Sequence, residues 1–220
     1  MPKQRRATSR ARADVQEDRT EARILDAALA VFAERGFEGA RTRDIAERAG
    51  ANLGLLTYYF QDKEGLWRAA VSRAFARLQG ELAEALKPDP EADAERSLEH
   101  LVRRFVHFVA RNPEFMQLMN DEGKRDGPRM RWLADRFVRP LYEAIRTRVE
   151  HAQARGQLPP IAPANLHYLV LGAAGLPFSQ AAECRRVTGV DPTSAAFVEA
   201  HVEALLRLMG PPKRRSRRRT

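Results

Sequence analysis

Two short helical patterns meet at Gly50, and the stretch from Gly36 to Trp67 that contains them narrows the possible folds more than any other. The first pattern places Ile45, Ala46 and Ala49 on one stripe, and the two alanines are small enough to admit a second helix closely. The second runs Leu53-Gly54-Leu55-Leu56-Thr57-Tyr58-Tyr59-Phe60. Each has a start signal: the Thr42 hydroxyl and the Asn52 side-chain oxygen are expected to accept from backbone N–H groups one turn in. Gly50 supplies the positive φ that a sharp turn between the two requires. This is a helix-turn-helix in sequence form, with its second helix available for the major groove of a duplex.

The flanks extend the helical pattern in both directions. Asp18 (with Glu21 as a capping box) or Thr20 is expected to open the first helix, which buries Ile24, Ala28 and Val31 beside Leu25, Leu29 and Phe32 and ends at Gly36. Asp62 is expected to cap a long helix through Leu66, Ala70, Ala74, Leu78 and Leu82, stopped near Lys87 by Pro88-Asp89-Pro90. Further amphipathic helices follow: one through Leu98 to Val109, a short one from Pro113, and a longer one from Pro128 that Pro140 should kink. After the loop Gln157 to Pro163, one helix is expected from about Ala164 to Val187 and a last one to Met209, capped at Asp191-Pro192. No alternation of β-branched residues suggests a strand. The expectation is an all-α chain of about nine helices. Residues 1–18 form a disordered basic arm, 19–66 the helix-turn-helix domain, 67–210 a helical body, and 211–220 a disordered basic tail.

The run Thr42-x-x-Ile45-Ala46-x-x-Ala49-Gly50-x-Asn52-x-Gly54-x-Leu56-x-Tyr58-Tyr59-Phe60-x-x-Lys63-Glu64-x-Leu66 resembles the DNA-binding signature of TetR/AcrR-type transcriptional regulators. Two positions depart from the usual pattern: Thr57 stands where an aromatic is common, and Leu55 where a threonine is common. The resemblance covers roughly the first third of the chain. It implies a three-helix reader joined by a long helix to a ligand-binding and dimerisation body. It also implies a two-fold dimer built as a four-helix bundle from the last two helices, a palindromic operator, and release by a small apolar or amphipathic effector. Gly172, Ala173, Ala174 and Gly175 would allow close approach of helix backbones in that bundle.

Charge is concentrated at the ends. Residues 1–12 hold five basic residues and 213–220 hold six, with no acid in either, so a net +9 leaves the remainder at about −2. Such tails suit phosphate neutralisation with counterion release; the alternative is a solvated, solubilising segment. Minor-groove or backbone contact is the expectation for the N-terminal arm, which directly precedes the helix-turn-helix. The apolar window Tyr168 to Phe178 is too short and too interrupted to span a bilayer. No apolar run follows the basic N-terminus, and the single cysteine, Cys184, allows no internal disulfide, so a reducing cytoplasm is the expected compartment.

For DNA, the expected contacts are Thr42, Arg43, Asn52, Leu53, Gly54, Leu55, Thr57, Tyr58, Tyr59 and Lys63. Asn52, Thr57, Tyr58 and Tyr59 can donate to phosphate oxygens, Arg43 can reach a guanine edge, and Leu55 a thymine methyl. Tyr58 or Tyr59 could instead belong to the core. For an effector, Phe105, Phe108, Met116, Met119, Trp132, Phe137, Tyr142 and Tyr168 are candidates, with His107 and His167 as polar handles. The alternative for each is ordinary core. The histidines make no metal-ligand spacing and no phosphate loop is present, so neither cofactor nor metal is expected and an enzyme is not. Cys184 is expected to be a small buried side chain. The main reading is a sequence-specific, ligand-released repressor. The alternatives are a sequence-indifferent DNA-compacting protein working through its tails and a carrier of apolar ligands.

Overall fold

The computed structural model describes residues 3–87 and 94–210, with side chains described from Glu17 to Lys87 and from Ser97 to Gly210. The expected Pro88–Pro90 stop and the basic tail 211–220 lie outside the described residues. Among the described residues there are eleven α-helical segments, one π-helical turn and no strand. They form two compact units, and the division runs through two helices.

The first unit holds α1 (Lys3–Gly39), α2 (Thr42–Ala49), α3 (Leu53–Phe60), α4 (Lys63–Leu82) as far as Arg77, and residues 117–124. Ile24, Ala28, Val31 and Phe32 of α1 are buried at the spacing expected, as are Ile45, Ala46 and Ala49 of α2 and Leu56 and Phe60 of α3. Each fully buried side chain of Ile or Leu size contributes about 1.5–3 kcal/mol. Leu66, Trp67, Ala70, Val71 and Ala74 of α4 are also buried, which carries this unit past the boundary expected at residue 66. Phe37 stacks on Phe32 at 5.8 Å and meets Trp67 edge-on at 6.4 Å. Exposed ion pairs link α1 to α2 (Arg35 with Asp44; Arg48 with Glu34) and to α4 (Arg77 with Asp26), each contributing at most about 1 kcal/mol.

α1 starts earlier than expected, and its regular helix breaks at Gly36 as expected. Its backbone is helical from Lys3, through residues expected to be a disordered arm and well before the cap expected at Asp18. The run from Lys3 to Asp18 contains no Gly or Pro and is rich in Arg, Ala and Gln, all good helix formers. At the other end Gly36 interrupts the helix with φ 67° and ψ 171°, a conformation open essentially to glycine alone. The Asp121 carboxylate lies 3.1 Å from where a Cβ on Gly36 would sit.

The second unit holds the end of α4, α5 (Ala94–Arg111), the start of α6 (Pro113–Glu122), α7 (Pro128–Leu133), a π turn (Ala134–Val138), α8 (Arg139–Ala154), α9 (Pro163–Ser179), α10 (Ala181–Thr188) and α11 (Ala195–Met209). The single helix expected from Pro128 is thus three segments. Pro140 has no N–H for the carbonyl four residues back and its ring crowds that oxygen; the chain widens, and Arg139 N–H bonds Ala134 five residues back. α4 also ends at Leu82 rather than Lys87, tightening through bonds such as Lys87 N–H to Glu84.

The helix expected from Ala164 to Val187 divides at Gln180. Pro177 sits inside α9 and leaves the Ala173 carbonyl without its helical donor. His201 of α11 takes that place, its Nε2 2.8 Å from the Ala173 oxygen. Its ring stacks on Phe197 at 5.5 Å and meets Phe178 edge-on at 5.8 Å. Of the small residues expected between helices, Gly175 is buried against Met116, whose methyl lies 2.7 Å from where a Cβ would be. α11 is capped by Ser194, not by Asp191-Pro192; Asp191 instead accepts from Thr193 and Arg185 in the preceding turn. Cys184 is only half-buried, its sulfur 3.9 Å from the Thr188 hydroxyl.

Candidate functional site

α3 is aimed by three local features. Gly50 adopts the left-handed conformation (φ 59°, ψ 39°) and its N–H closes α2 on Ala46 and Glu47. Asn52 is the N-cap of α3 as expected, its side-chain oxygen accepting from Leu55 N–H at 2.8 Å. After α3 the chain turns on Gln61, a non-glycine at φ 66° and ψ −59°, with Asp62 N–H bonded to the Phe60 carbonyl at 2.7 Å. This is the rare γ-turn of positive φ. The Asp62 carboxylate then caps α4, accepting from Gly65 N–H at 2.7 Å.

With Leu56 and Phe60 buried, α3 presents Leu53 (49% exposed), Gly54, Thr57 and Tyr58 (73% exposed) on its outer side. No residue of α3 is charged. Cationic groups come from its neighbours: Arg41 and Arg43 at the start of α2 are both exposed, and no carboxylate pairs with Arg43 among the described residues. Such a surface suits van der Waals and hydroxyl contact with base edges and phosphates, flanked by guanidinium groups.

Several expected contacts have other partners. Thr42 is the first residue of α2 and not its cap; Arg41 holds the cap position with no side-chain bond, leaving the Thr42 hydroxyl inside the first turn. Tyr59 is half-buried and bonds the Glu17 carboxylate; desolvation first, then Glu17, raise its pKa above the usual 10. The Thr57 hydroxyl donates back to the Leu53 carbonyl at 3.3 Å. Lys63 Nζ donates to the Glu38 carbonyl at 3.3 Å and sits 4.6 Å over the Phe37 ring, bracing the turn after Gly36. Leu55 is half-buried, so less of it faces outward than expected.

The second unit contains an apolar cavity of about 100 Å³ with an open mouth. Leu98, Leu101, Val102 and Phe105 of α5 form one wall; Leu141, Tyr142, Ile145 and Val149 of α8 face Leu166, His167 and Val170 of α9. Of the eight aromatic and methionine candidates, Phe105 and Tyr142 line it. Phe108 is buried against Phe115, Met116 is buried against Gly175, and Phe137 is buried against Trp132. Met119 lies in residues 117–124 of the first unit, and Tyr168 points outward at 73% exposure. Phe108 and Tyr168 fall on other faces of the lining helices, and the remaining four lie on elements that contribute nothing to the wall. Of the two expected handles, His167 lines the cavity, and burial lowers its pKa below 6.5. His107 instead faces Glu199 at 3.2 Å.

Residues 24–70 match the family model for bacterial regulatory proteins of the tetR family. Residues 95–208, more than half of the chain, match that for the tetracyclin repressor-like C-terminal domain. The chain belongs to the tetR family. It is 35% identical over 112 residues to the HTH-type transcriptional repressor NicS of Pseudomonas putida, covering 51% of this chain and 52% of NicS. To the HTH-type transcriptional regulator BetI of Escherichia coli it is 34% identical over 79 residues, 36% of this chain and 40% of BetI. The chain thus spans about half the length, or less, of these curated relatives. A putative fatty acid metabolism regulator from Clostridium perfringens shares the fold with a TM-score of 0.69 at 20% identity, over 84% of this chain and 94% of that one.

In this tetR-family chain the first match encloses α2, α3 and the γ-turn, so the residues that aim α3 lie inside it. Gly65, Gln61, Arg41 and Glu17 were not singled out from sequence. Gly65 had a usable signal: a glycine in the first turn of a helix costs about 1 kcal/mol relative to alanine and calls for a reason. Glu17 had none, since its pairing with Tyr59 is a tertiary contact. Among the described residues no group of His, Cys, Asp and Glu is placed to hold a metal, and no helix is long and apolar enough to cross a membrane.

Proposed function

We propose that this chain is a homodimeric, sequence-specific transcriptional repressor, released from a palindromic operator by a small apolar or amphipathic effector bound in the second unit. The observation that carries the DNA half is the outer side of α3. Leu53, Gly54, Thr57 and Tyr58 stand in solvent with no structural partner beyond their own helix, next to Arg43, which has no carboxylate partner among the described residues. A contiguous exposed patch, rather than a single exposed apolar side chain, marks a contact surface. The names of NicS and BetI, a repressor and a regulator, support the same reading.

Dimerisation would use α9, α10 and α11. Tyr168, Leu169, Leu176, Val187 and Leu208 on these helices are all more than half exposed. A two-fold pairing there would set two copies of α3 on successive major grooves, on the order of 34 Å apart. The effector must bind the released state better than the DNA-bound one, or it shifts nothing. Mobility shift with duplex from the chain's own promoter region tests the reading. A discrete complex on one palindrome, surviving excess unrelated DNA, is expected. Equal affinity for every duplex would sink it and favour compaction.

A further inference from the structure

The cavity of the second unit offers a ligand almost no charge. Arg146 is the one formally charged side chain on its wall, and its guanidinium is already held by Glu143 and by Glu150, each at 2.7 Å. With that guanidinium held twice, a carboxylate or phosphate entering the cavity meets no free cation. An ammonium fares no better, because no carboxylate lines the wall. A charge stripped of water and left unpaired is strongly disfavoured. The remaining polar groups are the Tyr142 hydroxyl and the His167 ring nitrogens, whose rings stand 5.0 Å apart at 75°. Both lie among Leu141, Leu166, Val170 and Leu171. His167 is half-buried, and desolvation holds its imidazole in the neutral form, able to donate or accept but carrying no charge for a partner.

We infer that this cavity takes an uncharged, hydrocarbon-rich molecule with one hydrogen-bonding head, seated with that head against Tyr142 and His167. Fatty-acid anions and acyl thioesters with their phosphates would find no free cation on the wall, and lipophilic cations no carboxylate. The inference rests on the regulator reading proposed above, of which it names the effector class.

Isothermal titration calorimetry of the full chain at pH 8 with 1-decanol, decanoate and decylamine tests it, since the three differ only in the head. 1-Decanol is expected to bind at least tenfold more tightly than either ion. Decanoate or decylamine binding as tightly or more tightly overturns the inference, and so does no binding of 1-decanol. Val170→Trp, which fills the cavity, should abolish 1-decanol binding; undiminished binding overturns the placement. Should that variant fail to fold, Tyr142→Phe/His167→Leu should weaken 1-decanol about tenfold, and unchanged affinity overturns the inference. Mobility shift separates the two readings. 1-Decanol that binds yet leaves the operator complex intact counts against regulation alone, whereas decanoate that binds better and releases the operator overturns only the ligand class.

Discussion

The α-carbon of Gly65 faces the carbonyl oxygen of Phe60 so closely that a Cβ there would overlap it. That one contact joins the end of α3 to the first turn of α4. It lets the chain reverse through Gln61 in the γ-turn, with Asp62 capping α4. The direction of α3 relative to α4 within the first unit depends on it.

Gly65→Ala should therefore destabilise the protein by about 1–3 kcal/mol, the range for forcing a methyl into a packed site. Palindrome affinity should fall with it. Gly80 is the control: it is exposed, sits in the same helix, and has nothing within 4 Å of the place a Cβ would take. Gly80→Ala should stabilise by about 0.5–1 kcal/mol through lost backbone freedom in the unfolded chain. Urea unfolding of both variants, compared with wild type, checks the opposite signs.

Much of this was legible in the sequence and some was not, for identifiable reasons. Gly50, Asn52 and Asp62 are local devices, each acting within a few residues, and all three do what their chemistry suggests. The buried stripes of α1 and α2 also follow from periodicity alone. The pairing of Tyr59 with Glu17 is not legible, because Glu17 lies 42 positions earlier and no spacing rule reaches that far. The cavity was half-legible. Periodicity marks Phe108 and Phe105 alike as inward-facing, and only the packing of α5 decides which one meets a void.

Tyr58 and Tyr59 should separate cleanly in DNA binding. The Tyr59 hydroxyl is committed to Glu17, whereas Tyr58 is 73% exposed on α3. A hydroxyl-to-phosphate hydrogen bond is worth about 0.5–1.5 kcal/mol net, a factor of roughly 2 to 12. Tyr58→Phe should weaken the palindrome complex within that range. Tyr59→Phe should leave it unchanged within error in mobility-shift titration.

Arg43 and Arg48 make a second contrasting pair on α2. Arg48 is bound to Glu34 at 2.5 Å, while Arg43 is exposed with no carboxylate beside it among the described residues. If Arg43 reads a guanine edge, Arg43→Ala should cost about 1–3 kcal/mol on the palindrome and relax preference at one base pair. Arg48→Ala should cost less than about 1 kcal/mol. A panel of single-base operator variants measures both.

His167 gives the protein a pH dependence of known sign. Desolvation places its folded pKa below the ordinary 6.5, so in the window below that value the unfolded chain binds the proton more readily. Its contribution is therefore constant above about pH 6.5, and stability falls as pH drops below it until the folded pKa is passed. His167→Gln should have a shallower loss between pH 6.5 and 5 than wild type. Urea midpoints over pH 5–8 give the difference curve, and a steeper loss in the variant would refute the assignment.

The last prediction concerns the carbonyl of Ala173, which Pro177 deprives of its helical donor and His201 bonds at 2.8 Å. His201→Ala would remove that bond at an exposed carbonyl that water can reach, at a cost of about 0.5–1.5 kcal/mol. It would also remove the ring stacked on Phe197, so a loss of stability alone proves little. A double-mutant cycle isolates the hydrogen bond. Pro177→Ala restores an N–H in register with Ala173, so in that background the carbonyl has a donor whether or not His201 is present. His201→Ala should then cost less than it does beside Pro177, by roughly 1 kcal/mol in urea unfolding. Strict additivity would mean that His201 acts only through its ring contacts, and that the proline and the histidine are independent features of the same surface.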